Sequence, residues 1–176
     1  MIMDPIEHTI EVDTFRKEKD LFLASDPHSP LPEDQKAAFK GLSYFPMAPE
    51  LCFEVKVERL SGDQEIQIQT STGEFQTYRR FGKFQVNIEG QEIELSIFAN
   101  RNGFFLPFTD SLSGTETYPA GRYIEPQVLS GGKFLIDFNL AYNPYCAYAE
   151  HWSCPLTPYE NRLKVPIRAG EKIYPK

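Results

Sequence analysis

The sequence predicts a mainly β domain: an antiparallel meander closing into a barrel or sandwich, with an N-terminal α-helix packed on it. Three observations carry this reading. Apolar and polar residues alternate in several short runs between Leu51 and Ile97, which is the period of a half-buried strand. Clusters of Gly, Asp, Ser and Asn separate those runs at short intervals. Aromatic content of 14% and 14 prolines favour strands joined by turns over a helical bundle. The 176 residues read as one domain in three parts: a helical arm over 1–45, a strand meander over 46–100 and a loop-rich region over 101–176.

Taken in order, residues 13–24 (DTFRKEKDLFLA) predict a short amphipathic helix with Asp13 as its cap and Phe15, Leu21, Phe22 and Leu23 docking one side. Three prolines over 26–32 impose irregular chain. PEDQKAAFKGL then fits one or two helical turns, started by Pro32 and ended by Gly41. Leu51, Phe53, Val55 and Val57 alternate with Glu54, Lys56 and Glu58, and after a turn at Ser61-Gly62-Asp63 the pattern resumes at Ile66 and Ile68. A turn at 71–74 leads into FQTYRRF, and Phe84, Val86 and Ile88 alternate again. Glu89-Gly90-Gln91 marks a hairpin tip, followed by Ile93, Leu95 and Ile97. Beyond Asn100 the period weakens; Phe104–Phe108 and Lys133–Phe138 read as strands among Gly-, Pro- and Asn-rich loops. Loops on a rigid sheet are where binding chemistry concentrates.

Composition narrows the partners. Hydrophobic content of 41% and charged content of 24% describe a folded globular chain. The net charge of −7, with no basic run, argues against nucleic acid and against an anionic membrane surface. No stretch reaches 18 apolar residues, and the acidic start MIMDPIEHTIEVD has neither the basic nor the apolar region of a signal peptide. A soluble, cytoplasmic protein is the expectation. The odd count of three cysteines points to reduced thiols. There is no Walker loop, nucleophile elbow, HExxH or dinucleotide fingerprint, which removes the best-known enzyme classes without excluding an enzyme and leaves the cofactor unknown. Nothing in the pattern specifies an oligomeric state.

The blocks FFLPFTDSLSGTETYPAGRY, DFNLAYNPYCAY, CPLTPYEN and IRAGEK, between Phe104 and Glu171–Lys172, resemble the bacterial and archaeal domain-of-unknown-function family 1684. SPL at 29–31, FKGLSYFP at 39–46 and TYRRFG at 77–82 extend the resemblance over nearly the whole chain. It implies one domain ending near Lys176 and treats these blocks as one constellation, but it brings no activity and no catalytic residue. Exported or lipid-anchored relatives would need a leader that this sequence does not show.

Eleven aromatic residues between Phe104 and Cys154 are interleaved with Asp110, Glu116, Arg122, Asp137, Asn139 and Asn143. Charge among rings needs pairing or hydrogen bonds to offset desolvation, so the stretch is either a buried polar keystone or a pocket lining. In the pocket reading, Asp110, Glu116 and Asp137 are acid-base or metal-facing carboxylates and Arg122 holds an anion, assisted by Arg79 or Arg80. Tyr123, Tyr142 and Tyr145 form the walls, and Asn139, Asn143 and Glu160 orient the ligand. In the keystone reading the same groups pin turns and pair with one another. Cys146, His151 and Cys154 (C-x₄-H-x₂-C) suggest a weak zinc motif needing a fourth ligand from Cys52, His8 or His28. Cys146 and His151 also suit a nucleophile-base pair, and plain buried thiols are the plainer account.

The expected function is therefore binding of a small polar or anionic molecule in an aromatic-walled polar pocket, with hydrolytic acid-base or metal-assisted chemistry as its extension. The alternative is a non-catalytic structural or interaction module. In that case Glu116 is buried and its loss costs about 3 kcal/mol.

Overall fold

The computed structural model describes residues 3–62 and 64–175. Met1, Ile2, Asp63 and Lys176 lie outside it, and with them the first residues of the acidic amino terminus and the last residue of the Ser61-Gly62-Asp63 turn.

Helix α1 (Pro5–Ser25) is about two and a half turns longer than the sequence reading. Its cap is Asp4, whose carboxylate accepts from the Ile6 and Glu7 amides, and Pro5 fits the first helical position. Asp13 sits exposed within the helix. The chain leaves helical geometry at Asp26, which is extended before Pro27. His8, Val12 and Leu23 are buried along one stripe, while Leu21 is 68% exposed. Leu21 and Leu23 lie about 200° apart around a helix, so both cannot dock. A short helix, α2 (Glu33–Ala38), follows as expected.

The strands form two antiparallel sheets. The smaller has the order β1 (Cys52–Lys56), β9 (Lys133–Asp137), β8 (Gln127–Val128). The larger runs β2 (Glu58–Arg59), β4 (Phe75–Ile88), β5 (Gln91–Asn100), β6 (Gly103–Phe108), β7 (Arg122–Ile124), with β3 (Glu65–Gln69) also on β4. No closed barrel forms among the described residues. β4 continues unbroken through TYRRFG because the ladder takes up an irregularity between Arg80 and Gly82. A Cβ at Gly82 would meet the Glu58 carbonyl oxygen at 2.6 Å, so only glycine fits there.

Alternation places Val55 and Val57, Phe84, Val86 and Ile88, Leu95 and Ile97, and Phe134 and Ile136 in one shared core. The opposite face of the small sheet carries Cys52, Leu135 and Asp137, and α1 covers part of it. No helix among the described residues is long and apolar enough to cross a membrane.

Candidate functional site

Two polar assemblies emerge where the sequence reading expected one. The first centres on Arg122, which opens β7 directly after Gly121. Gly121 has φ +104°, and a Cβ there would meet the Phe108 carbonyl oxygen at 2.6 Å. Arg122 is 1% exposed. Its Nη1 donates to the carbonyls of Ala169 (2.5 Å) and Glu171 (2.9 Å), and its Nη2 to that of Ile167 (2.9 Å). Asp110 lies 3.6 Å from Nη2 and accepts from Thr117 Oγ1 (2.7 Å), Ser113 Oγ (3.3 Å) and the Ile167 amide (2.8 Å). Burial draws the guanidinium down to about 10, opposed by Asp110 and Glu171, and it stays charged at neutral pH. This is the keystone alternative. FTDSL, GRY and IRAGEK meet here because Arg122 clamps the C-terminal segment onto β6 and β7. Arg122 is therefore corrected from anion anchor to internal clamp, and Asp110 from acid-base group to its partner.

Other expected residues also serve as pins. Asn139 Oδ1 accepts from the Ala48 amide and its Nδ2 donates to the Ala48 carbonyl and to Asp137. The Asn143 amide donates to buried Glu171 and its Nδ2 to the Lys172 carbonyl. Glu160 pairs with Arg80 at 2.7 Å. Glu116 is half-exposed and faces Arg168 at 3.5 Å, apart from the Arg122 assembly. Its expected burial is thus corrected; the Ile173 amide meets the Glu116 backbone carbonyl, not its carboxylate.

The second assembly is a cleft of about 720 Å³ on the outer face of the small sheet, roofed by α1. Of the expected residues, Tyr123, Asp137, Tyr142, Tyr145 and Cys154 line it. The sequence reading missed the α1 contribution, Phe15, Lys19 and Phe22, and also missed Trp152. Tyr145 and Trp152 meet edge-on at 5.3 Å. Tyr142 donates to Glu125 at 3.1 Å at the rim, and Tyr123 Oη donates to the Pro155 carbonyl at 2.5 Å. Burial raises both phenols well above their ordinary value. Lys19 lies over the Tyr142 ring and donates to Glu171, which also accepts from Tyr148 (3.2 Å). The indole N–H of Trp152 is buried with no hydrogen-bond partner among the described residues.

Beside the cleft, β1 and β9 place Cys52 directly opposite Asp137. His8 comes down from α1, its Nε2 2.6 Å from Asp137 Oδ2. Asp137 Oδ1 is held by the Asn139 amide and Nδ2, both at 2.9 Å. Burial, reinforced by Asp137, pushes the Cys52 thiol up to about 12. The three ligand atoms lie within 4.8 Å of one another, and no other such group of three forms among the described residues. The expected Cys146-His151-Cys154 set does not assemble. His151 is exposed against the Trp152 ring, whereas Cys146 and Cys154 are buried together, the Cys146 amide donating to Cys154 Sγ at 3.3 Å. That arrangement also removes His151 as a base for Cys146. A hydrogen bond from Cys154 pulls the Cys146 thiol down to about 6 and holds the Cys154 proton in place.

Comparison with known proteins agrees with the resemblance of the signature blocks. The solution NMR structure of an uncharacterized protein from Haloarcula marismortui is similar over 98% of this chain and 97% of its own, with 33% identity and a TM-score of 0.73. No curated protein matches. The model of the family described as protein of unknown function (DUF1684) matches residues 37–172, and the chain belongs to that family.

Proposed function

We propose that this protein binds a small molecule with an apolar or aromatic body and an anionic or acceptor-rich end, seated in the cleft beneath α1. The supporting observation is the convergence of Phe15, Phe22, Tyr142, Tyr145 and Trp152 around a concavity whose size suits a metabolite. Lys19 supplies the cation. It is already paired with Glu171, yet an ammonium has three donors and can serve a second acceptor. The unpartnered Trp152 N–H costs free energy that a carboxylate or carbonyl oxygen would offset. Glu125 and Asp137 discriminate against ligands that bring negative charge to their end of the cleft.

Trp152 is the only tryptophan of the chain, so its emission reports on the cleft directly. Aromatic and aliphatic carboxylates should change that emission saturably and raise the melting temperature, as binding to the folded state requires. Their neutral amides should bind more weakly. Phe15→Ala should weaken binding about tenfold, or about 1.4 kcal/mol, through lost wall area. A broad carboxylate panel that leaves both emission and melting temperature unmoved would overturn the proposal. The second reading, a structural module, is favoured by the internally satisfied Arg122 assembly, and it would then describe the whole chain.

A further inference from the structure

We propose that His8, Cys52 and Asp137 form a binding site for one borderline-soft divalent transition cation, zinc by its ligand chemistry, with one tetrahedral position left for a water or a cleft ligand. The first support is topological. Cross-strand pairing fixes Cys52 and Asp137 side by side on the outer face of the small sheet, and α1 lays His8 over them. Three residues from segments far apart in sequence thus aim ligand atoms at one point, within 4.8 Å. Ligand identity is the second support. Thiolate with imidazole selects zinc-like cations over magnesium or calcium, which take oxygen. Thiolate and carboxylate together would neutralise the dication.

The third support lies one layer out. Asn139 grips Asp137 Oδ1 through two donors and leaves Oδ2 aimed at the cluster, as outer contacts orient metal-bound carboxylates. Arg16, whose charge reaches Asp137, directs its guanidinium to the Phe45 and Asn139 carbonyls and over the Tyr44 ring. Zinc ligands at about 2.0 Å from the metal sit about 3.3 Å apart in a tetrahedron. The His8–Asp137 contact of 2.6 Å must therefore open by under an ångström, within reach of side-chain rotation. Three protein ligands with an open fourth position is the pattern of zinc sites that bind substrate or water. Asp137 also lines the cleft, so the open position has a path to it.

The test uses the full chain stripped of metal with a chelator that is then dialysed away, with Co²⁺ as spectroscopic probe and Zn²⁺ as competitor. One equivalent of Co²⁺ should give an intense thiolate-to-cobalt charge-transfer band with tetrahedral d–d bands, all abolished by Zn²⁺. Zn²⁺ should also protect Cys52 from alkylation, located by peptide mass mapping. Cys52→Ser should lose the charge-transfer band, and His8→Gln should weaken binding by about a hundredfold or more. His151→Ala should change neither. Absence of the band in folded wild-type protein, or its persistence in Cys52→Ser, overturns the proposal. If Cys52→Ser does not fold, the alkylation pattern decides, since a Cys52 that stays reactive under Zn²⁺ is equally fatal. The inference does not rest on the cleft ligand: Trp152 emission reports the one and cobalt absorption the other.

Discussion

Arg122, which opens β7 in the large sheet, and Asp137, which closes β9 in the small one, are both buried ionisable residues, yet their surroundings differ in kind. Arg122 is surrounded by acceptors already in place: three backbone carbonyls and a carboxylate that is itself supplied with donors. Asp137 has one oxygen fully held and the other turned toward a histidine and a thiol that are both metal ligands by type. The difference teaches how to separate a keystone from a site. Counting charges among aromatic rings does not do it; what matters is whether the backbone of the same chain completes the hydrogen bonds.

Arg122→Leu attacks the keystone and carries the largest expected effect. It strands three carbonyls and Asp110, so stability should fall by about 3–5 kcal/mol in denaturant titration. A loss under about 1 kcal/mol would mean that the C-terminal segment is held by something else. Alkaline titration comes next. Burial raises the phenols of Tyr123 and Tyr148 above the ordinary value of about 10. Below that pH both states are protonated and the contribution is whole. Above it the unfolded chain releases its protons first, so stability drops as pH rises, by about 1.4 kcal/mol per pH unit for each group. Phenolate absorbance of Tyr123 and Tyr148 should appear only as the chain unfolds. Ionisation of Tyr123 and Tyr148 in protein that stays folded would contradict this burial. Glu116→Ala is the smallest. Its half-exposed pair with Arg168 is worth about 0–1 kcal/mol, and a thermal melt should barely move. A cost near 3 kcal/mol would place Glu116 back in the keystone.

The meander was legible because alternation is local: Leu51 to Val57, Ile66 with Ile68, and Leu95 with Ile97 need only their neighbours to declare a buried face. The start of α1 was not, since Asp4 and Asp13 both suit a cap and only Asp4 precedes a proline. The candidate site was legible by half. Tyr123, Asp137, Tyr142 and Tyr145 sit in the wall because they belong to the aromatic-rich stretch. His8 was named only as a spare ligand for the Cys146-His151-Cys154 motif, and Lys19 was missed, because their partners, Asp137 and Glu171, lie 129 and 152 residues away and no spacing rule spans that separation. Arg122 was placed wrongly because a satisfied and an unsatisfied buried charge look alike in sequence.

Helix α1 is fastened mostly by polar grips, His8 on Asp137, Arg16 on two carbonyls and Lys19 on Glu171, with Leu23 and Val12 as its deeply buried apolar contacts. Ile6, Ile10 and Leu21 face outward. Native-state amide exchange should accordingly open α1 as a unit at a free energy below that of global unfolding. The roof over the cleft is thus the part of the molecule best suited to lift and reseat while the sheets beneath stay intact.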